Sequence, residues 1–597
     1  MTQSYNIILN DGYDQADLYS LVTTVEDALV NRSTYFIAQC SKEQIAVLKE
    51  HEAVKWCISM ESLPTPIDAG VVNYNREYSH IQMRLDGQPG NPHPKGNWGL
   101  IRHQSQTNNT TFSTDTSGNY TNSYNGNGVD IIMQVASVLN RNDPEFKTDG
   151  VTRLQELQWN TLPGMSDIPT IDYSITQNSS TALYGINSHA ESVSYITAGN
   201  TYGWASGSKI YIWPRDQTDA AQKYLSTHGW DSFKLFHQNK GNSRPTIVVD
   251  AIQYNYPFYP GTGAVSFRND IYYEIAPNGC PPAPGDRFRI LNWNGTNAYG
   301  NSGVIRWHGE YDIYSSLGSG LDIRNLTAQN KADIITRINT DAFNPYYALF
   351  HQPVEEMIAA GVHHVSAAGN FANKIALPDN IDYNNGIVTT MPSNISGNSP
   401  IENNFRANEY YPLCREDLHH GGDTIIAAAL ASQFSVDSNL NNRETLTNFS
   451  SSGDRVDACA AGDNMYIELF VNGEYEATGT SFASPNIGGM AACVLGKYPT
   501  TTPAQLRKYF RDTAIGTDTL YSSSTTPAPS SNIGDSVYFE DSLCLKGYSG
   551  NIAYLDPSLS FDPSTISNTT ITSTETVGSS NRINFTVGEI NTKLGSI

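Results

Sequence analysis

The residues with the clearest capacity for chemistry lie between Gly479 and Pro499, in the run GTSFASPNIGGMAACVLGKYP. Small and apolar residues (Ala483, Ile487, Met490, Ala491, Val494, Leu495) recur there at helical spacing, and Pro485 falls in the first turn, where a missing N–H costs nothing. The spacing predicts a helix ending near Lys497, Tyr498 and Pro499. Ser481 then stands at the helix start, in the positive end of its dipole and beside unpaired backbone N–H groups able to hold a developing oxyanion. Two readings follow from these residues alone: a nucleophilic hydroxyl, or a capping serine on a tightly packed core helix.

The run from Gly479 to Pro485 resembles the Gly-Thr-Ser-x-Ala-x-Pro nucleophile motif of the subtilisin-like serine peptidases, the subtilases. That resemblance implies an α/β, three-layer fold around a central, mostly parallel sheet. It also implies a histidine, an aspartate and an oxyanion-hole asparagine earlier in the chain. The segment NSHAESVSYITAGNTYGWASGSKIYIWP, 187–214, resembles the one that carries the histidine and puts His189 at the general-base position. The usual His-Gly-Thr-His has become His189, Ala190, Glu191, Ser192, and Glu191 is expected to bring a charge beside the site. The run HHVSAAGNFANK resembles the oxyanion segment, with Asn370 as its side-chain donor.

The aspartate is the departure. From Gly128 the text GVDIIMQVASVLNRNDPEF predicts a central parallel strand, Val129 to Val135, whose C-terminal end is where open α/β sheets place function. Aligned on Gly128-Val129-Asp130 and on Pro144-Glu145-Phe146, the resemblance puts Val135 where the aspartate belongs, followed by Ala136 and Ser137. Valine can neither hold the histidine's tautomer nor stabilise its imidazolium. Asp130, five residues upstream, is roughly 16 Å away on the opposite face of the strand. Asp143, in the following loop, is the alternative carboxylate. The strand Thr246 to Ile252 corresponds to the subtilase segment that pairs with substrate backbone. Ile252 and Tyr254 stand at its altered substrate-binding positions, and Tyr254, replacing a glycine, is expected to fill the cleft.

The elements that must position these residues read as follows. Residues 1–62 predict a propeptide-like α+β domain: strand Tyr5 to Leu9, helix Leu18 to Leu29, strand Ser33 to Gln39, helix Ser41 to His51 and strand Val54 to Met60. The stretch from Ser33 to Leu63 resembles the second half of the inhibitory propeptide of subtilases. Residues 63–127 read as a linker and polar loop. Residues 128–515 read as the subtilase-like domain, with a helix from Asp216 that resumes after Gly229 to Asn239, a helix Pro353 to Ala360 closed by Gly361, and strands His363 to Ala367 and Asp423 to Ala429. Within it, 257–335 reads as a β-rich insertion, and 516–597 as a Ser/Thr-rich β or extended C-terminal segment.

The chain has 597 residues, 39% of them hydrophobic, and no apolar run approaches the roughly 20 residues of a membrane span, so no membrane association is expected. The N-terminal text lacks a basic region followed by an apolar stretch, so no signal peptide and no conventional secretion are expected. A net charge of −23 argues against nucleic acid as a partner. Seven scattered cysteines give no disulfide framework. Cys414, His419 and His420 have no recognised ligand spacing, which predicts a solvated loop, with no metal and no cofactor. The polar insertions and tail resemble subtilase-like proteins encoded by large tailed bacteriophages. The reading is a subtilase-fold pseudoprotease with protein partners, either other virion proteins of capsid or tail or copies of itself, in the virion or host cytoplasm. The alternative is a weakly active serine endopeptidase using Ser481 and His189.

Overall fold

In the computed structural model the described residues are 2–27, 35–59, 66–68, 82–83, 96–104, 123–175, 188–214, 220–254, 344–379, 416–515 and 552–571, less single positions and short gaps within them, with short strands at 265–266, 271–274, 288–291, 304–305 and 312–313. The N-terminal part is a four-stranded antiparallel sheet of β1 (Gln3–Leu9), β2 (Thr24–Asp27), β3 (Tyr35–Cys40) and β4 (Val54–Ser59), in the order β2-β3-β1-β4. Helix α1 (Lys42–Lys49) packs on it through Ile45 and Leu48. Ser41 starts α1 with a reciprocal cap, its side chain bonded to the Gln44 backbone and the Gln44 side chain to its own. The helix expected from Leu18 to Leu29 is instead a 3-10 turn, Gln15–Leu21, followed by β2. Only Leu18 of that turn is buried, too little apolar surface to hold a longer helix. Beyond this sheet, β5 (Pro66–Asp68) is the next described strand.

The larger unit is built on a nine-stranded sheet. Its parallel core places Leu154–Gln155, then β7 (Lys209–Pro214), β6 (Asp130–Val135), β8 (Thr246–Asp250), β10 (His363–Ala367) and β11 (Ile425–Val436) side by side. β12 (Ala458–Ala461) adds to β11 in parallel, and two antiparallel strands, 82–83 and 442–446, border β11. Residues buried on both faces give β6 and β8 continuous apolar text rather than alternation. The alternation survives as a division of labour. Ile131, Met133 and Val135, with Ile247 and Val249, join the core under α2 (Ser188–Ala198) and α5 (Thr480–Lys497). Ile132 and Val248 face the opposite layer, α3 (Ala220–Asn239) and α4 (Asn344–Ala359), against Trp230, Phe233, Val354 and Met357. The result is three layers, helix–sheet–helix.

Several boundaries differ from expectation. α3 runs unbroken through Gly229, which lies close under the Trp213 ring. α4 begins nine residues before Pro353 and carries that proline internally. Gly361, at φ +96°, closes it in the left-handed region. The strand expected over 246–252 divides: β8 stops at Asp250, and β9 (Ile252–Tyr254) leaves the main sheet. Ile552, Ala553, Leu555 and Leu559 belong to the main core, so this part of the C-terminal segment is integral to the larger unit. Of the 257–335 insertion, the described strands form small antiparallel sheets. Ala136, Cys414 and the side chain of Tyr254 lie outside the described residues.

α5 is buried from Thr480 to Leu495. Its small residues follow from its neighbours: a Cβ on Gly488 would lie 2.5 Å from the Val249 side chain, and one on Gly489 would lie 2.6 Å from the Thr197 carbonyl oxygen. The second contact is with backbone and has no flexible side chain to yield. Gly489→Ala is therefore expected to cost about 1–3 kcal/mol by overpacking, read as a lower Tm. An unchanged melting curve would show that α2 and α5 are not in this contact.

Candidate active site

Ser481 is the second residue of α5, fully buried, and its hydroxyl donates to the Ala251 carbonyl at 3.2 Å. It is not the cap: Gly479 occupies that position, with no side-chain cap bond. Ser484, one turn on, donates to the Asp250 carbonyl at 2.9 Å. The start of α5 is thus tied to the end of β8 by two serine hydroxyls.

Asn370 follows β10. Its Oδ1 accepts from the Thr480 backbone N–H at 2.9 Å and from the Thr480 hydroxyl at 2.8 Å, while that hydroxyl accepts from the Gly369 N–H at 3.1 Å. The Asn370 side-chain oxygen is thereby committed to Thr480. His189 sits in the first turn of α2, with its ring edge-on to Phe482, the neighbour of Ser481, centroids 5.8 Å apart at 72°. Three expected residues therefore gather around the first turn of α5.

Val135 ends β6 at 1% exposure, in the main apolar core. Two further carboxylates, Asp143 and Glu191, are engaged elsewhere. Asp143 Oδ2 accepts from the Tyr195 hydroxyl at 2.5 Å, and its Oδ1 from the Glu145 N–H. Glu191 accepts from Val471 N–H at 2.9 Å and from the Asn472 side chain at 2.8 Å, and its Oε1 is 3.3 Å from the Tyr195 hydroxyl. The charge expected of Glu191 beside the site is thus directed at the tip between β13 (Met465–Leu469) and β14 (Gly473–Ala477). Asp130 is paired with Lys240 and Arg244, both at 2.9 Å.

Ile252 is buried and β9 pairs antiparallel with β5, Ile252 opposite Asp68 and Tyr254 opposite Pro66. β9, which holds the positions expected to bind substrate, is therefore paired with backbone from just beyond the N-terminal sheet.

One constellation was not foreseen. His419 and His420, expected in a solvated loop, are fully buried, because Ser366 and Asp250 on adjacent strands give them polar partners beneath the segment that carries them. His419 Nε2 lies 3.1 Å from Asp250 Oδ2 and 2.9 Å from Ser366 Oγ; His364 Nε2 is 3.8 Å from the same carboxylate oxygen. Burial alone would depress His419, but the Asp250 and Asp417 carboxylates outweigh it and push it up to about 9. Asp250, although burial opposes its charge, is held below the usual carboxylate range by His419 and His364. His364 and His420 are pushed down by burial and by the charge on His419. The signals were the His-His pairs 363–364 and 419–420, whose meaning depends on which strands adjoin. Among the described residues no group of three or more His, Cys, Asp and Glu is arranged to hold a metal ion, and no helix is long and apolar enough to cross a membrane.

Burial pushes Asp143 up to about 6 and raises Glu191 as well. A raised carboxyl favours the folded state when protonated, so this stabilisation is full below the unfolded value and is lost as pH rises through about 6. Asp143→Asn is expected to remove on the order of 2 kcal/mol of stability loss between about pH 4 and 7. Denaturant titrations of both proteins across that range check it; parallel pH profiles would refute it.

Residues 293–539 match the sequence model of the Subtilase family. The match includes Asn370 and Ser481 and leaves His189 and Val135 outside it. Subtilisin DY of Bacillus licheniformis is 30% identical over 177 residues, 29% of this chain and 52% of that protein. The halolysin-like extracellular serine protease Nep of Natrialba magadii is 34% identical over 96 residues, covering 16% and 18%. The chain thus spans about half the length of the first of these relatives and less of the second. Among solved structures, the epidermin leader peptide processing serine protease of Staphylococcus aureus aligns over 94% of this chain and 98% of its own, at 14% identity and a TM-score of 0.41. A cold adapted subtilisin-like serine proteinase aligns over 74% and 99%, at 16% and 0.36. Residues 293–539 are thus similar to the Subtilase family, and this stretch contains Asn370 and Ser481.

Proposed function

We propose that this protein is a subtilase-fold pseudoprotease that acts as a structural or interaction protein. The observation that carries this reading is Val135, an apolar residue buried at the end of β6 where the resemblance expects the triad aspartate, while Asp143 and Glu191 are bonded to Tyr195 and to the β13–β14 tip. In subtilisin, loss of the aspartate alone lowers kcat about 3 × 10⁴-fold, about 6 kcal/mol of transition-state stabilisation. The pairing of β9 with β5 supports the same reading, since the strand that would align a substrate is used within the chain. The proposed setting is a tailed-phage virion, on capsid or tail, or the host cytoplasm. The proposed partners are other virion proteins or further copies of this chain.

The second reading, a weakly active serine endopeptidase, draws on the Asn370–Thr480 bonds and on the contact of His189 with Phe482, which keep the remaining site groups assembled. A fluorophosphonate probe followed by intact-mass analysis separates the two. The wild type is expected to label no faster than Ser481→Ala and to remain a 597-residue chain. Val135→Asp, its fold verified by melting, is expected to label at least tenfold faster than wild type. Rapid Ser481-dependent labelling of the wild type would establish the endopeptidase reading instead.

A further inference from the structure

The bond network around Asp250 links the interior His cluster to the residues that face Ser481. Asp250 is the last residue of β8, in register with Gln134 of β6 and Ser366 of β10. Its main-chain carbonyl accepts from Ser484, its Oδ1 accepts from the Ile252 N–H at 2.8 Å, and the Ala251 carbonyl between them accepts from Ser481. One turn thereby ties the main sheet, α5 and β9 together. Its other carboxylate oxygen, Oδ2, points to His419 and His364.

We propose that Asp250, gripped by His419, is the positioning residue that sets the 250–252 backbone against Ser481 and holds β9 in register for strand pairing. The inference rests on the reading of β9 as a cleft strand occupied from within the chain, and not on the absence of turnover. A carboxylate at 0% exposure is tolerable only when paired, because an isolated buried charge is far more costly than a neutral group. His419 supplies the pairing as an imidazolium held between Asp250 and Asp417, 3.7 Å from the latter.

The groups around that imidazolium arrive from every adjoining element. From β10 come Ser366 and His364; the latter's Nδ1 is bonded to Thr424 at 2.9 Å. From α3 the Trp230 ring stacks on His419 at 6.1 Å and 18°. From its own segment come Asp417 and His420, whose Nδ1 accepts the Asp417 N–H, so that His420 is neutral and donates through Nε2 to Ser366 at 3.1 Å. Arg455 adds positive charge from further off, its guanidinium neutralised by Glu416 and Asp457. Without the proton on His419, the Asp250 carboxylate loses its partner charge, and the turn it bonds to Ile252 loosens.

Hydrogen exchange by mass spectrometry on the full-length chain tests this, with peptides over 250–254 compared against peptides over β6 and α5, which report global opening. In the wild type, exchange over 250–254, corrected for its intrinsic pH dependence, is expected to rise at least tenfold between about pH 7 and 10, with a midpoint near 9, where His419 gives up its proton. His419→Gln is expected to exchange fast throughout and to lack that midpoint. Asp250→Asn is expected to be fast at 250–254 with β6 and α5 still protected. A wild-type profile that is flat, or that rises together with β6 and α5, overturns the proposal, and this profile decides the matter even if both variants fail to fold. Fluorophosphonate labelling of wild type would retire the pseudoprotease reading and leave the exchange profile to stand or fall alone.

Discussion

A helix can pass between a sheet and a second helix only where its own side chains are small, and α5 meets that condition at Gly488 against Val249 and at Gly489 against the Thr197 carbonyl. The consequence is geometric. Once α5 is pressed into this slot, its first turn must lie at the C-terminal ends of β8 and β10, where open parallel sheets present their loops. Ser481, the Ala251 carbonyl and Asn370 then meet because the sheet order brings β8 beside β10, not through any attraction among themselves. α2 packs on the same helix, so the His189 ring reaches Phe482 by the same constraint.

The polar groups at this end of the sheet are held by a stricter rule, that buried charge must be matched. Asp250 has His419, Asp130 has Lys240 and Arg244, and Asp457 has Arg455, Arg507 and Arg511. Among the described residues, Asp143 and Glu191 have no such cation bonded to them. Their bonds come from a tyrosine hydroxyl, backbone N–H groups and an asparagine, which explains why burial raises them whereas Asp250 and Asp457 are lowered. Carboxylates committed in this way to a hairpin tip and a helix are poorly suited to orient a histidine.

Much of the scaffold was legible in the residues. β10 has the expected bounds, α5 begins and ends where its small-residue spacing and Tyr498-Pro499 place them, and the reciprocal cap at Ser41 and Gln44 is present. These are local signals, set by periodicity and capping. What failed was tertiary. Nothing in the text after Asp250 marks the departure of β9 from the sheet, because the departure depends on a bond between the Asp250 side chain and the Ile252 N–H and on pairing with β5, nearly two hundred residues away in sequence. His419 and His420 read as solvated for the same reason: their partners, Ser366 and Asp250, sit on strands whose adjacency no spacing reveals. Ser481, Asn370 and His189 were expected as site residues through resemblance alone, and each lies on or beside an element whose position the sheet fixes.

Ser481, Asn370 and His189 differ from Val135 in a way that bears on the proposed function. Asn370 bonds the first turn of α5 through Thr480, and Ser481 bonds the turn after β8, so each contributes to holding α5 in place whether or not a peptide is ever cut. His189 packs its ring on Phe482 and its carbonyl accepts from Ser192, which supports the start of α2. A carboxylate at Val135 would have no comparable structural use. It would stand at a buried position at the end of β6, where an ionised group costs stability unless it is paired. If the chain binds and assembles as proposed, physical chemistry therefore favours the serine, the asparagine and the histidine ring together with a residue that packs at position 135. On the proposed reading, Ser481, Asn370 and His189 are thus weak grounds for turnover, and the apolar residue at the proposed aspartate position is the stronger guide to function.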